Sequence, residues 1–240
     1  MNNDNGYHNI CVIIPAYNPA AAVLLSLLDG LTMSGFNKIV LINDGSHSSW
    51  DPLFDNLEKQ ASVKVLKHNK NKGKGAALKT GLRYVIKNFQ NNSLGVVTVD
   101  ADGQHAINSI QAVSQALIKN RHDVVLGVRS FSHKGEIPLR CLVGNIITKN
   151  LFKVVHGIAL EDTQTGLRGL PKPLLKQLVA LTPNRYDFEM DALILFKKLG
   201  YPIKQIKIDT VYTNKNRTSH FRPIVDSFKI YFVLFREAGH

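Results

Sequence analysis

Short apolar runs punctuate the first half of the chain, and each stops abruptly at polar or glycine-bearing sequence. Residues 9–14 (N-I-C-V-I-I) halt at Pro15 and enter the loop Pro15-Ala16-Tyr17-Asn18-Pro19. Residues 38–42 (K-I-V-L-I) end in Asn43-Asp44-Gly45-Ser46, and residues 63–66 form a third run. Residues 96–99 (V-V-T-V) run into Asp100-Ala101-Asp102-Gly103-Gln104-His105, and residues 123–128 (D-V-V-L-G-V) end at Arg129. Runs of this length between turn residues predict buried strands. Helical periodicity fills the gaps over residues 20–33, from Asp51-Pro52 onward, and over 106–119. A further helix follows residues 69–75, with Leu78, Leu82, Val85, Ile86 and Phe89 on one face. Uniformly apolar strands alternating with helices predict an α/β fold with a mostly parallel sheet covered on both faces. Ligands then bind beyond the carboxyl ends of the strands. Tyr17, Asp44, Asp100, Asp102 and Arg129 all fall at such ends.

The second half changes character. Residues 138–155 read as a long helix bearing Arg140, Lys149 and Lys153 among apolar positions, and residues 162–169 are polar with two glycines. Residues 186–191 open an apolar helix carrying Asp187, Glu189 and Asp191, where the helix dipole favours acids and a functional carboxylate is the alternative. Residues 201–211 predict a last strand, residues 213–220 a basic loop, and residues 223–236 a helix. That helix has more large apolar side chains than one core-facing stripe needs, which suggests contact with lipid or a partner; closing the core is the competing reading.

Two segments suggest chemistry. Near-extended backbone at the end of 96–99 would aim Asp100 and Asp102 to one side, with Gln104 continuing the period unless Gly103 turns the chain. Two such carboxylates suit a hard divalent cation, or they form an acidic turn. The loop 69–75 (N-K-N-K-G-K-G) places Lys72, Lys74 and free N–H groups at a helix start, a candidate phosphate site or else a solvated turn. It is not a Walker loop, because the spacing differs.

Composition narrows the partners. Lys and Arg number 30 against 18 Asp and Glu, a formal net charge of +12, which favours an anionic partner. No recognised nucleic-acid module or aromatic-lined basic stripe is present, so nucleic acid is not expected. Cys11 and Cys141 have neither redox nor metal-ligand spacing and read as reduced core thiols. The opening residues lack a signal-peptide segment, and no run approaches the ~18 apolar residues of a membrane span. A cytoplasmic protein is expected.

The order of Ile13-Ile14-Pro15-Ala16-Tyr17-Asn18, Asn43-Asp44-Gly45-Ser46, Asn71-Lys72-Gly73-Lys74-Gly75, Asp100-Ala101-Asp102-Gly103-Gln104-His105 and Thr165-Gly166-Leu167-Arg168 resembles glycosyltransferase family 2. Within it the chain looks most like the dolichyl or polyprenyl phosphate sugar synthases. The resemblance covers roughly residues 9–232 and implies a GT-A fold, with the transferase domain expected over 9–222; residues 1–8 read as a flexible N-terminus and residues 223–240 as a C-terminal amphipathic helix that faces a membrane. It implies a nucleotide-diphosphate sugar donor, a polyprenyl phosphate acceptor and peripheral contact with the cytoplasmic membrane face. Mg²⁺ or Mn²⁺ would be held by Asp100, Asp102 and Gln104. Pro15, Tyr17, Asn18, Asp44, Lys74, Ala101, Arg129 and Arg217 would surround the donor, and Arg140 would face the acceptor phosphate. A hydroxyl acceptor on a glycan is the alternative, with Asp187 or Glu189 as base. Two departures stand out: Asn43 replaces an aspartate of the usual D-D-G-S turn, and Arg217-Thr218-Ser219-His220 replaces a G-x-S-K pattern.

Overall fold

The structure is a computed structural model and describes residues 6–89, 92–129, 153, 157, 159–182, 184 and 187–209. Its strands are β1 (Ile10–Ala16), β2 (Ile39–Asn43), β3 (Val63–Lys67), β4 (Gly95–Thr98), β5 (Val124–Arg129), β6 (Arg168–Pro171) and β7 (Ile203–Ile208). Its helices are α1 (Ala21–Met33), α2 (Asp51–Leu57), α3 (Lys74–Asn88), α4 (Ile107–Lys119), α5 (Leu175–Ala180) and α6 (Asp187–Lys198). The strands form one sheet in the order β3-β2-β1-β4-β6-β5-β7.

Alternation along the buried strands divides the core into two layers. Cys11, Ile13, Val40 and Ile42 face the side covered by α3, α5 and α6, while Val12, Ile14, Ile39 and Leu41 face α1, α2 and α4. Helix α3 presses Leu78 and Leu82 into the first layer, each worth about 1.5–3 kcal/mol of apolar burial. At Gly81 it lies so close to the sheet that a Cβ would come within 2.8 Å of Ile13 Cγ2. Cys11 is fully buried, and burial pushes its thiol up to about 12, so it is an inert core group.

β3, β2, β1 and β4 run parallel to one another, as do β5 and β7. β6 runs antiparallel between β4 and β5. The polar segment expected at 162–169 therefore enters a strand at Arg168 and fills the sheet's middle. Its short run, with Gly169 and Pro171, hides it from periodicity. Lying between two parallel strands, β6 starts at the edge where β4 and β5 end, so the segment before it arrives at the carboxyl edge. The expected helix 138–155, apart from residue 153, the loop 213–220 and the helix 223–236 lie outside the described residues, as do Arg140, Cys141 and Arg217.

Candidate active site at the carboxyl edge of the sheet

The loops after β1, β2 and β3 are bound into one unit. Asn18 adopts a left-handed φ of 47°, which asparagine tolerates. Its N–H donates to Ser46 Oγ at 2.9 Å, and its Oδ1 accepts from the His47 N–H at 2.9 Å. Pro15 is half-buried and Tyr17 is exposed. Asp44 is only 3% exposed, and its carboxylate is taken up by the chain's own donors. The N–H groups of Lys72 and Gly73 donate to Oδ1 and Oδ2 at 3.0 and 2.9 Å, and His68 Nδ1 lies 2.6 Å from Oδ1. The other ring nitrogen of His68 lies 2.9 Å from Thr80 Oγ1 on α3. Asp44 thus fixes the basic loop at the start of α3. Gly45 is required beneath it, because a Cβ would stand 2.2 Å from the Lys70 carbonyl carbon. Asn43 Oδ1 accepts from the Ser46 N–H at 2.8 Å, while its buried Nδ2 has no partner among the described residues.

β4 ends at Thr98, two residues before the first acid, and residues 101–102 are in a turn. Strand alternation therefore does not pair Asp100 with Asp102, a correction to the expectation from sequence. Gly103, at φ 73°, turns the chain, and the Gln104 N–H closes onto Asp102 Oδ1 at 3.0 Å. The two carboxylates nevertheless share one site. Burial and the charge of Asp100 both raise the Asp102 carboxyl above its ordinary range, against the Gln104 N–H. Burial would also raise Asp100, but the Lys74 ammonium and His105 outweigh it and hold that carboxyl well below the usual carboxylate range.

Around Asp100 the packing is tight. Lys74 Nζ lies 2.7 Å from its Oδ1 and 3.1 Å from Glu189 Oε1, which brings the first turn of α6 to the same place. His105 Nε2 lies 3.7 Å from Oδ2. The Gly166 backbone beds against the carboxylate: a Cβ there would stand 2.1 Å from Asp100 Oδ2. Thr98 Oγ1 donates to the Gly166 carbonyl at 2.7 Å, tying that backbone to the end of β4.

Two arginines hold the inserted segment. Arg129 Nε and an NH2 group donate to Asp162 at 2.6 and 3.0 Å, a two-point ion pair with a fully buried carboxylate. Arg168, 4% exposed, donates to the carbonyls of Thr165, Glu189 and Thr163 at 2.9, 2.8 and 3.3 Å. Burial lowers its pKa, opposed by Glu189, Asp162 and Asp100. Asp162, His68 and Thr98 are contributions that sequence patterning did not single out, and Gly166, though part of a recognised motif, was assigned no contact. Their partners lie 24 to 68 residues away along the chain, so no local spacing marks them.

Asp100 and Asp102 fit a hard divalent cation. They are oxygen donors, and they are close enough for one charge to raise the other's pKa. No group of three or more His, Cys, Asp or Glu able to hold a metal occurs among the described residues. An Mg²⁺-type ion takes one or two carboxylates and completes its shell with water and substrate phosphates. Gln104 is half-buried beside this pair. No helix among the described residues is long and apolar enough to cross a membrane.

The family model described as glycosyl transferase family 2 matches residues 11–140. The chain is 31% identical over 94% of both lengths to UDP-N-acetylglucosamine--dolichyl-phosphate N-acetylglucosaminyltransferase of Methanococcus voltae. It is 25% identical to dolichyl-phosphate beta-glucosyltransferase of Dictyostelium discoideum, over 95% of this chain and 75% of that protein. Among solved structures it superposes on mannosyl-3-phosphoglycerate synthase of Rubrobacter xylanophilus with a TM-score of 0.71 at 14% identity, covering 95% of this chain and 73% of the other. It also superposes on glucosyl-3-phosphoglycerate synthase of Mycobacterium tuberculosis, crystallised with Mn²⁺, UDP and phosphoglyceric acid, at a TM-score of 0.67 and 19% identity over 97% and 79%. These two likenesses show the GT-A fold.

Proposed function

The chain belongs to glycosyl transferase family 2, and from that premise we propose that this glycosyltransferase moves a hexose from a nucleotide-diphosphate sugar to polyprenyl phosphate, inverting the anomeric centre. The observation that carries the reading is the pair of acids Asp100 and Asp102 just beyond β4 at the sheet's carboxyl edge, in a chain that matches a dolichyl-phosphate transferase over nearly its whole length.

In this reading Asp100, Asp102 and Gln104 hold Mg²⁺ or Mn²⁺, which when bound supplies a Lewis acid for the leaving diphosphate. Pro15, Tyr17, Asn18, Ala101 and the Asp44-braced loop line the donor, with Arg217 as a further contact. Lys74, 2.7 Å from Asp100 Oδ1, is available to the donor diphosphate. Arg129, fixed by Asp162, presents its charge at the same edge, and Arg140 meets the acceptor phosphate. An acceptor phosphate oxygen is already ionised at neutral pH. It attacks the anomeric carbon as the nucleoside diphosphate leaves from the opposite face, so the protein's work is positioning and charge stabilisation. Residues 223–240 serve as a separate membrane-facing element after the catalytic domain, and the excess of Lys and Arg favours an anionic membrane surface on the cytoplasmic side.

A hydroxyl acceptor would need a general base, for which Glu189 is the candidate. Its Oε1 lies 3.1 Å from the Lys74 ammonium in the ligand-free site. Radiolabelled UDP- and GDP-sugars offered with polyprenyl phosphate and with soluble sugars, with and without EDTA, test the proposal. Metal-dependent label in the lipid phase is expected; product confined to soluble acceptors would sink the lipid reading.

A further inference from the structure

The acid at the end of β4 already has a cation of the chain's own. Lys74 is the first residue of α3, and Gly73, at φ 98°, turns the backbone into that helix. The Gly73 N–H is anchored on Asp44 Oδ2 at 2.9 Å, so the root of the lysine is fixed by the β2 loop. From there Nζ reaches 2.7 Å from Asp100 Oδ1 and 3.1 Å from Glu189 Oε1, with its side chain 16% exposed. An ammonium in this position satisfies one lone-pair direction of the metal-ligating carboxylate and repels a divalent ion approaching the same oxygen.

We propose that Lys74 is a built-in competitor for the divalent cation, so that metal gains Asp100 only together with a nucleotide diphosphate that takes over the ammonium. The inference rests on the metal reading of Asp100 and Asp102 given above. A diphosphate does two things that a free metal ion cannot. Its oxygens offer Lys74 a second anionic partner in place of Asp100, and they complete the coordination shell of an Mg²⁺-type ion. Metal and nucleotide therefore bind as a coupled pair, and linkage makes the coupling reciprocal. The consequence is a protein that takes up little metal until its donor arrives.

The test is a Mn²⁺ titration of the full chain, read by the electron paramagnetic resonance signal of free Mn²⁺, without nucleotide and with UDP or GDP. It compares the wild type with Lys74→Met, Lys74→Gln and a control, Lys70→Met, which removes one exposed positive charge from the same loop. Mn²⁺ alone is expected to bind both Lys74 variants at least tenfold more tightly than it binds the wild type or Lys70→Met. Mn²⁺ alone should also raise the melting temperature of the Lys74 variants by more than it raises that of the wild type, a measurement that also reports folding. Unchanged or weaker binding of Mn²⁺ alone in the Lys74 variants, or equal tightening in Lys70→Met, would overturn the proposal. If the wild type binds Mn²⁺ with nucleotide while the Lys74 variants gain nothing, only the Lys74 inference falls. If no protein binds Mn²⁺ under any condition, the metal reading falls and takes the inference with it.

Discussion

Gly166→Ala is a sharp test of whether the position of Asp100 governs activity. The backbone φ of Gly166 is outside the left-handed region, so alanine is unstrained there and the substitution acts through its methyl group alone. That methyl would stand 2.1, 2.6 and 2.7 Å from Asp100 Oδ2, Cγ and Oδ1, whereas ordinary contact begins at 3.4 Å. Backbone relief is restricted, because the Gly166 carbonyl is held by Thr98 Oγ1 at 2.7 Å. The carboxylate must therefore retreat by more than about 1 Å, a misplacement that costs on the order of 100-fold in rate, or about 2.7 kcal/mol of transition-state stabilisation. The assay is steady-state sugar transfer with the purified variant, beside thermal unfolding. The reasoning predicts a folded protein with kcat/KM down about 100-fold. In an Asp100→Ala background the same methyl should change the residual rate little, since the group it displaces is gone. A folded Gly166→Ala protein with transfer within about threefold of wild type would refute the idea that this contact sets the acid's position.

Asp44→Asn should act on stability, because an amide turns an NH₂ group toward the Lys72 and Gly73 N–H donors that the carboxylate now accepts. A loss of about 3 kcal/mol by urea denaturation is expected, and a loss under about 1 kcal/mol would contradict the bracing role. The two acids of the D-A-D turn should differ in their pH dependence of folding. The Asp100 carboxyl is depressed, so its stabilisation is present above the unfolded value of about 3.9 and lost as pH falls toward the folded value. The Asp102 carboxyl is raised, so its favourable contribution is present below about 3.9 and lost as pH rises through the folded value. Metal-free urea melts should therefore show Asp100→Asn less stable and Asp102→Asn more stable than wild type at pH 7. Both differences should shrink at pH 3, and the same sign for both variants at pH 7 would defeat the assignment.

Much of this protein is legible in one dimension because its first half is built from local rules. The strand runs at 9–14, 38–42, 63–66, 96–99 and 123–128 fall within one or two residues of the observed β1 to β5, since buried parallel strands must be uniformly apolar and must stop where polar turns begin. The alternation of strands and helices carried the sheet type. It also placed Tyr17, Asp44, Asp100 and Arg129 at the ends of parallel strands, which topology then brings to one edge. Tertiary structure alone decided how those residues are used. β6 was hidden because four residues with a glycine and a proline have no period, and their strand character comes from pairing with Gly95 to Thr98 and with Val125 and Leu126. The partners of Arg129, Asp44 and Asp100 were hidden for a related reason. Asp162, His68 and Gly166 reach them across 33, 24 and 66 residues of chain, distances that only the closed fold spans. Sequence could place two acids at the mouth of the sheet. The fold alone made them unequal, by setting Lys74, His105 and the Gly166 backbone against Asp100 and leaving the added charge to Asp102.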